Sequence, residues 1–284
     1  MEQLRTEVLL DDLAFPEGPR WHDGALWFSD MHLAQVFTVG LDGASEVVVD
    51  VPARPSGLGW QPDGTLLIVS MLDHKVLRFA DGTLGEHADL SPIATGHCND
   101  MVVDSEGRAY VGNFGFDMYA GQPPAASQLA FVDSDGTTSV AAERLNFPNG
   151  SMITPDGTTL IVGESLGARL LAFDIADDGS LSNRRTWADV PGEIPDGACL
   201  DTEGAVWLAS PATGEVVRVF EHGRITHRVK SSDGRSAYAC MLGGDDGTTL
   251  FVCTSSAMLP DDTLAQRGGA IETVHVDVPH AGLP

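Results

Sequence analysis

Glu17, Asn99, Asn149 and Asp196 occupy one place in a repeat, each eight residues before a D-G or E-G turn glycine, or seven in the first copy. The turns in question carry Gly24, Gly107, Gly157 and Gly204. Carboxylate and carboxamide oxygens are hard donors, so two of each around one point suit calcium or magnesium, with water completing the shell. No Cys/His ligand spacing is present, which disfavours a structural zinc site and leaves manganese and catalytic zinc open. Two further copies, with turns at Gly64 and Gly247, put Ser56 and Ala239 in the same register. The donor set is therefore lopsided, which leaves a side open to water and substrate. Asn149 in FPNG and Asp196 in IPDG also fit ordinary turns, because Asn and Asp bond nearby backbone groups. Glu17 in FPEG fits that reading poorly, and the hairpin turns already lie at the other end of the strands.

The elements that must position these residues are short apolar strands. Each copy runs an apolar strand into its glycine turn and returns as a second, rich in β-branched and aromatic residues, as in Ala25-Leu-Trp-Phe-Ser-Asp30. Third strands follow at 35–39, 75–79, 128–132, 170–174, 215–220 and 273–278, and a fourth completes a unit of blade length. Six such units predict an all-β fold, a six-bladed β-propeller of four-stranded antiparallel blades, with residues 1–284 as one domain. No stretch of helical period long enough for a parallel α/β fold interrupts them. Closing the ring requires the segment around Glu7 to Leu10 to pair with the last blade.

In such a blade the innermost strand lines the channel and the second returns antiparallel. Glu17, Asn99, Asn149 and Asp196 thus begin inner strands at one mouth, and Asp30, Asn113, Glu164 and Ser210, which end second strands, form an outer ring there. An insertion from Phe114 to Ser127 carries Phe114, Phe116, Met118 and Tyr119 ahead of a Gly/Pro/Ala-rich stretch. It reads as a lid over the axial pocket or as a surface loop packed on itself.

Composition narrows the class. The chain has 284 residues, 43% of them hydrophobic, and a net charge of −25. So acidic a surface repels nucleic acid and anionic membranes. It keeps the protein in solution or draws a divalent cation inward. Residues 1–10 lack the basic start and apolar core of a secretory signal, and no apolar run approaches a membrane span, so a cytoplasmic protein is expected. Cys98, Cys199, Cys240 and Cys253 form no C-x-x-C pair and read as buried thiols. No phosphate loop of the G-x-x-x-x-G-K-[ST] form is present.

FPEGP at residues 15–19, the pair Asn99-Asp100, FPNG at 147–150 and PDG at 195–197 resemble, in order and spacing, the SMP-30/gluconolactonase/LRE-like family. That family comprises six-bladed propellers including sugar lactonases, other lactonases and organophosphate hydrolases. The resemblance runs from Leu13 to Val278 and implies that Glu17, Asn149 and Asp196 bind a catalytic divalent metal, calcium by preference, with Asn99 contacting the metal, its water or the substrate. Sugar lactonases of the family commonly carry an Arg two positions before the motif Asn. Here that position is His97, and the usual N-D-G is Asn99-Asp100-Met101. The missing Arg argues against a gluconolactone-type polyol, and the apolar Phe114 to Tyr119 loop points to a less polar substrate.

A divalent ion at the axis polarises a lactone or ester carbonyl and lowers the pKa of a bound water from 15.7 toward about 7. Asp196 is the candidate base, Asp100 the alternative, and His97 a proton shuttle or a structural histidine. The leading expectation is a metal-dependent hydrolase of the gluconolactonase-like type, a monomer or weak homo-oligomer opening a small lactone or cyclic ester. Competing readings are an organophosphate or activated-ester hydrolase, a metal-dependent lyase or isomerase, and a non-catalytic interaction propeller.

Overall fold

The computed structural model describes residues 2–284. Six antiparallel blades surround an axis, with inner strands Pro16–His22, Pro55–Trp60, Cys98–Val103, Pro148–Ile153, Ala198–Asp201 and Ser236–Gly243. Those strands are buried along nearly their whole length, whereas outermost strands such as Ser45–Asp50 and Thr138–Leu145 are largely exposed. The gradient explains the run of apolar residues on inner strands, since both faces pack on neighbouring blades. Leu67, Val69, Met101 and Val111 join blades two and three. Met152, Ile161, Leu200 and Leu208 join blades four and five.

Glu7–Leu13 lies antiparallel to Gly269–His275 and closes the ring, which is the pairing the segment around Glu7 to Leu10 requires. That last third strand is Gly269–His275 rather than 273–278, and a short helix, Pro260–Gln266, precedes it. Two additions were not legible in the repeat. Glu2–Arg5 runs parallel to the outer strand of blade five, Arg224–Lys230, and His280–Ala281 adds to the inner edge of the same blade. Leu283 then bridges to Ile153 on the side of the ring away from the inner-strand starts.

An inner-strand irregularity recurs at the site register, for example between Cys98 and Met101, where Asn99 lies, and between Pro148 and Ser151, where Asn149 lies. Such a bulge re-aims side chains and sharpens the local twist. Among the described residues no helix is long and apolar enough to cross a membrane. All four cysteines are buried and free.

Candidate active site

One cavity of about 470 Å³ opens on the axis, and Glu17, Asn99, Asn149 and Asp196 all line it. Gly18 has φ of 55°, a conformation available to glycine at little cost, and it turns the backbone directly after Glu17. The Glu17 carboxylate accepts the Gly18 N–H at 3.0 Å. Ser56, which shares the register without offering a carboxylate or amide, donates to Asn99 Oδ1 at 3.3 Å and so sets the orientation of that amide. Asn149 Nδ2 donates to Asp196 Oδ1 at 2.6 Å and to Ser165 Oγ at 3.1 Å, while Ser165 Oγ donates to the Pro195 carbonyl at 2.6 Å. Asn149 Oδ1 is left without a donor among the described residues.

Close approach of backbones sets these positions. A Cβ on Gly150 would stand 2.4 Å from the Asp196 carbonyl oxygen and 2.8 Å from the Ala198 nitrogen. Gly150→Ala is therefore expected to push blade five outward, costing about 1–3 kcal/mol. A thermal melt and a turnover assay check this; an unaltered melting temperature would show that the strands are not in such close contact.

Electrostatics favour a cation. Removal from bulk water pushes the Asp196 carboxyl up to about 8, against the Asn149 hydrogen bond that favours its charge, and Asp100 adds repulsion. Burial raises Glu17 well above the usual carboxylate range, and the Asp196 charge raises it further. Two carboxylates desolvated together are stabilised as anions by a nearby positive charge. Among the described residues no three His, Cys, Asp or Glu side chains gather as a metal cluster. The donors at the axis are two carboxylates and two amides, a set that fits a hard divalent cation.

Other expected residues are placed differently from one another. Asp100 is absent from the cavity lining: its Oδ1 accepts Arg20 Nη2 at 2.6 Å and the Met101 N–H at 2.9 Å. His97 lines a neighbouring chamber with Arg54, Asp117 and Leu259, separated from the axial cavity by Tyr119, which borders both. Its ring packs on Phe114 and Tyr119, with centroids 5.9 and 5.6 Å away, and burial lowers its pKa. The adjacent Cys98 thiol is buried in the core and pushed up to about 12, far from the range of a nucleophile at neutral pH.

Phe114, Met118 and Tyr119 wall the axial cavity, and Phe116 packs behind them against Phe147. The apolar end of the insertion is thus part of the cavity wall. Asp30, Asn113, Glu164 and Ser210 stand at second-strand ends, yet their side chains bind backbone N–H groups of connecting loops and none lines the cavity. Tyr238 supplies the cavity lining from blade six, with its ring 4.5 Å from Phe15. Counting from the turn pointed to Ala239 there. The irregularity in this blade falls between Ala237 and Ala239, starting one residue earlier in the register than in blades two to four, and Tyr238 lies within it.

A six-bladed propeller with oxygen donors gathered at one axial mouth defines the structural class. The chain belongs to the SMP-30/gluconolactonase/LRE-like family, whose model matches residues 15–256. It is 28% identical over 280 residues to the L-arabinolactonase of Azospirillum brasilense, covering 94% of this chain and 89% of that protein. It is 25% identical over 277 residues to the 6-deoxy-6-sulfogluconolactonase of Pseudomonas putida, covering 94% and 93%. Among solved structures, a calcium-binding protein, regucalcin, from Agrobacterium tumefaciens superposes with a TM-score of 0.84 at 23% identity, covering 100% of this chain and 98% of that one. At that identity the likeness shows the fold. Lactone hydrolysis is an activity of the family, carried by relatives with those names.

Proposed function

We propose that this protein is a divalent-metal-dependent hydrolase that opens a lactone or related cyclic ester. The convergence of Glu17, Asn99, Asn149 and Asp196 on one axial cavity is the observation that carries this reading. Glu17, Asn149 Oδ1 and Asp196 are the residues to hold the cation, with calcium favoured by their oxygen chemistry. When bound, the ion supplies Lewis acidity toward the carbonyl and lowers the pKa of water.

The remaining work falls to the chain. Asp196 Oδ1 is engaged by Asn149, which leaves Oδ2 to accept the proton of the attacking water. Asn99 Oδ1 takes the Ser56 hydroxyl, so its Nδ2 is free to donate to the oxygen that gains charge as the carbonyl is attacked. Water adds to the carbonyl carbon to give a tetrahedral oxyanion, the ring C–O bond then breaks as the proton held by Asp196 passes to the leaving ring oxygen, and the hydroxy acid product releases a proton near neutral pH. Apolar walls keep other water away from the reacting carbonyl. The Arg20–Asp100 pair supports reading Asp100 as a brace beneath the floor rather than as the base.

Metal analysis of the purified protein, followed by a pH-drop assay over a lactone panel with and without chelator, tests this. Chelation should abolish turnover and calcium should restore it. Turnover that survives chelation would contradict the metal role, and opening of phosphotriesters with no lactone opened would replace the substrate class.

A further inference from the structure

The axial cavity has a polar floor and an apolar body. Above Glu17, Asn99, Asn149 and Asp196 the walls are Phe15, Met31, Phe114, Phe147 and Tyr238, with Ile194 toward the mouth. Phe114 and Phe147 stack at 4.4 Å, forming a flat aromatic face. The rim is apolar as well: Leu166, Ile194 and Met258 line the same cavity and are 50%, 39% and 46% exposed. Large apolar side chains gathered around one opening, rather than scattered singly, mark a place where apolar surface is to be covered.

Above the floor the polar side chains of the lining are only Tyr119, Tyr238 and Ser165. Ser165 Oγ is already committed to the Pro195 carbonyl. A polyhydroxylated ring buried here would leave several hydroxyls without partners, each at a cost of about 1–3 kcal/mol. An alkyl or aryl substituent would instead displace water from surfaces that hold it poorly.

Resting on the lactone-hydrolase reading, we infer that the substrate is a lactone bearing an apolar substituent, its ring on the oxygen floor and its side chain running past Phe114 and Phe147 to the Leu166, Ile194 and Met258 rim. Size sets the length. At about 30 Å³ per water-sized atom, the cavity of about 470 Å³ holds roughly fifteen non-hydrogen atoms. A five-membered lactone takes about six of them, which leaves room for a chain of about six to eight carbons.

The test is a homologous series of γ-lactones, from γ-butyrolactone to γ-dodecalactone, with glucono-δ-lactone alongside, on the calcium-loaded enzyme. kcat/KM should rise about fourfold per methylene, the worth of a buried CH₂, and level off at about six to eight carbons. Glucono-δ-lactone should fall about a hundredfold or more below the plateau. Met258→Ser, a substitution at an exposed position with little risk to folding, should lower the ratio of γ-decalactone to γ-butyrolactone turnover about fivefold. A flat series in which the sugar lactone is opened as well as the rest overturns this inference and leaves the hydrolase reading standing. An unchanged ratio in Met258→Ser overturns the path assigned to the chain. If no lactone of either kind is opened, the hydrolase reading falls and this inference with it.

Discussion

Asp196→Asn should cut lactone turnover by about a thousandfold or more and, in the chelated protein, raise the melting temperature at pH 8. Both effects have one origin. The folded-state pKa of Asp196 is raised from 3.8 to about 8 by burial. Below the unfolded value both states hold the proton, and the group contributes nothing. As pH climbs from about 4 to about 8 the unfolded chain releases that proton while the metal-free folded protein retains it, so folding stability falls through this window. Above about pH 8 the penalty is complete. A carboxamide has no proton to lose, so the variant-minus-wild-type difference in melting temperature should be larger at pH 8 than at pH 5. Glu17 is shifted the same way and adds to the wild-type slope. Calcium should reverse it by stabilising both carboxylates. Melts of both proteins with chelator at the two pH values, beside a turnover assay, check the pair of effects. A variant that keeps full turnover, or whose melting advantage is greater at pH 5, would contradict the placement of this carboxylate.

The second large effect lies beneath the site. Arg20 is 4% exposed and reaches three inner strands. It donates to the Pro19 carbonyl at 2.7 Å, to Leu58 at 2.9 Å and to Met101 at 2.6 Å, while pairing with Asp100 at 2.6 Å. Arg20→Met leaves Asp100 buried without its partner, and breaking a buried pair in this way costs about 3–5 kcal/mol. For a chain of this size that corresponds to a fall of about 10 °C in melting temperature. The double replacement Arg20→Met with Asp100→Leu removes both charges and should recover most of that loss. It also separates two roles for Asp100. If the carboxylate only ties Arg20, the refolded double variant keeps turnover within about tenfold; if it is the base, turnover falls by about 10²–10⁴. Thermal melts and kinetics on the same three proteins decide the matter.

The repeat made the blades legible because each turn glycine marks a hairpin whose strands are apolar on both faces. It also carried Glu17, Asn99, Asn149 and Asp196 to one cavity, since equivalent positions on inner strands of a closed ring must meet. What the repeat could not carry is contact between blades. Arg20 and Asp100 lie 80 residues apart, and nothing in either neighbourhood marks them as partners. Tyr238 was hidden by a one-residue displacement of the irregularity in blade six, which counting from Gly247 cannot see. His97 and Asp100 flank the Cys98-Asn99 pair and read as parts of one site. A strand sends successive side chains to opposite faces, and the local bulge adds a further turn, so His97 reaches the chamber beyond Tyr119 and Asp100 the layer between blades. The polar ends of the second strands looked like an outer ring of donors. They are consumed by loop backbone: Asp30 alone accepts the N–H groups of Ala14, Phe15, His32 and Leu33.

The most direct measurement is a stoichiometric one: chelated protein titrated with calcium while lactone opening is followed by proton release. Turnover should start near zero, rise linearly with added metal and break at one equivalent per chain, and the Asp196→Asn protein should show no such rise. Full turnover before any metal is added, or a rise with no break near one equivalent, would contradict a single catalytic cation held by Glu17, Asn149 and Asp196.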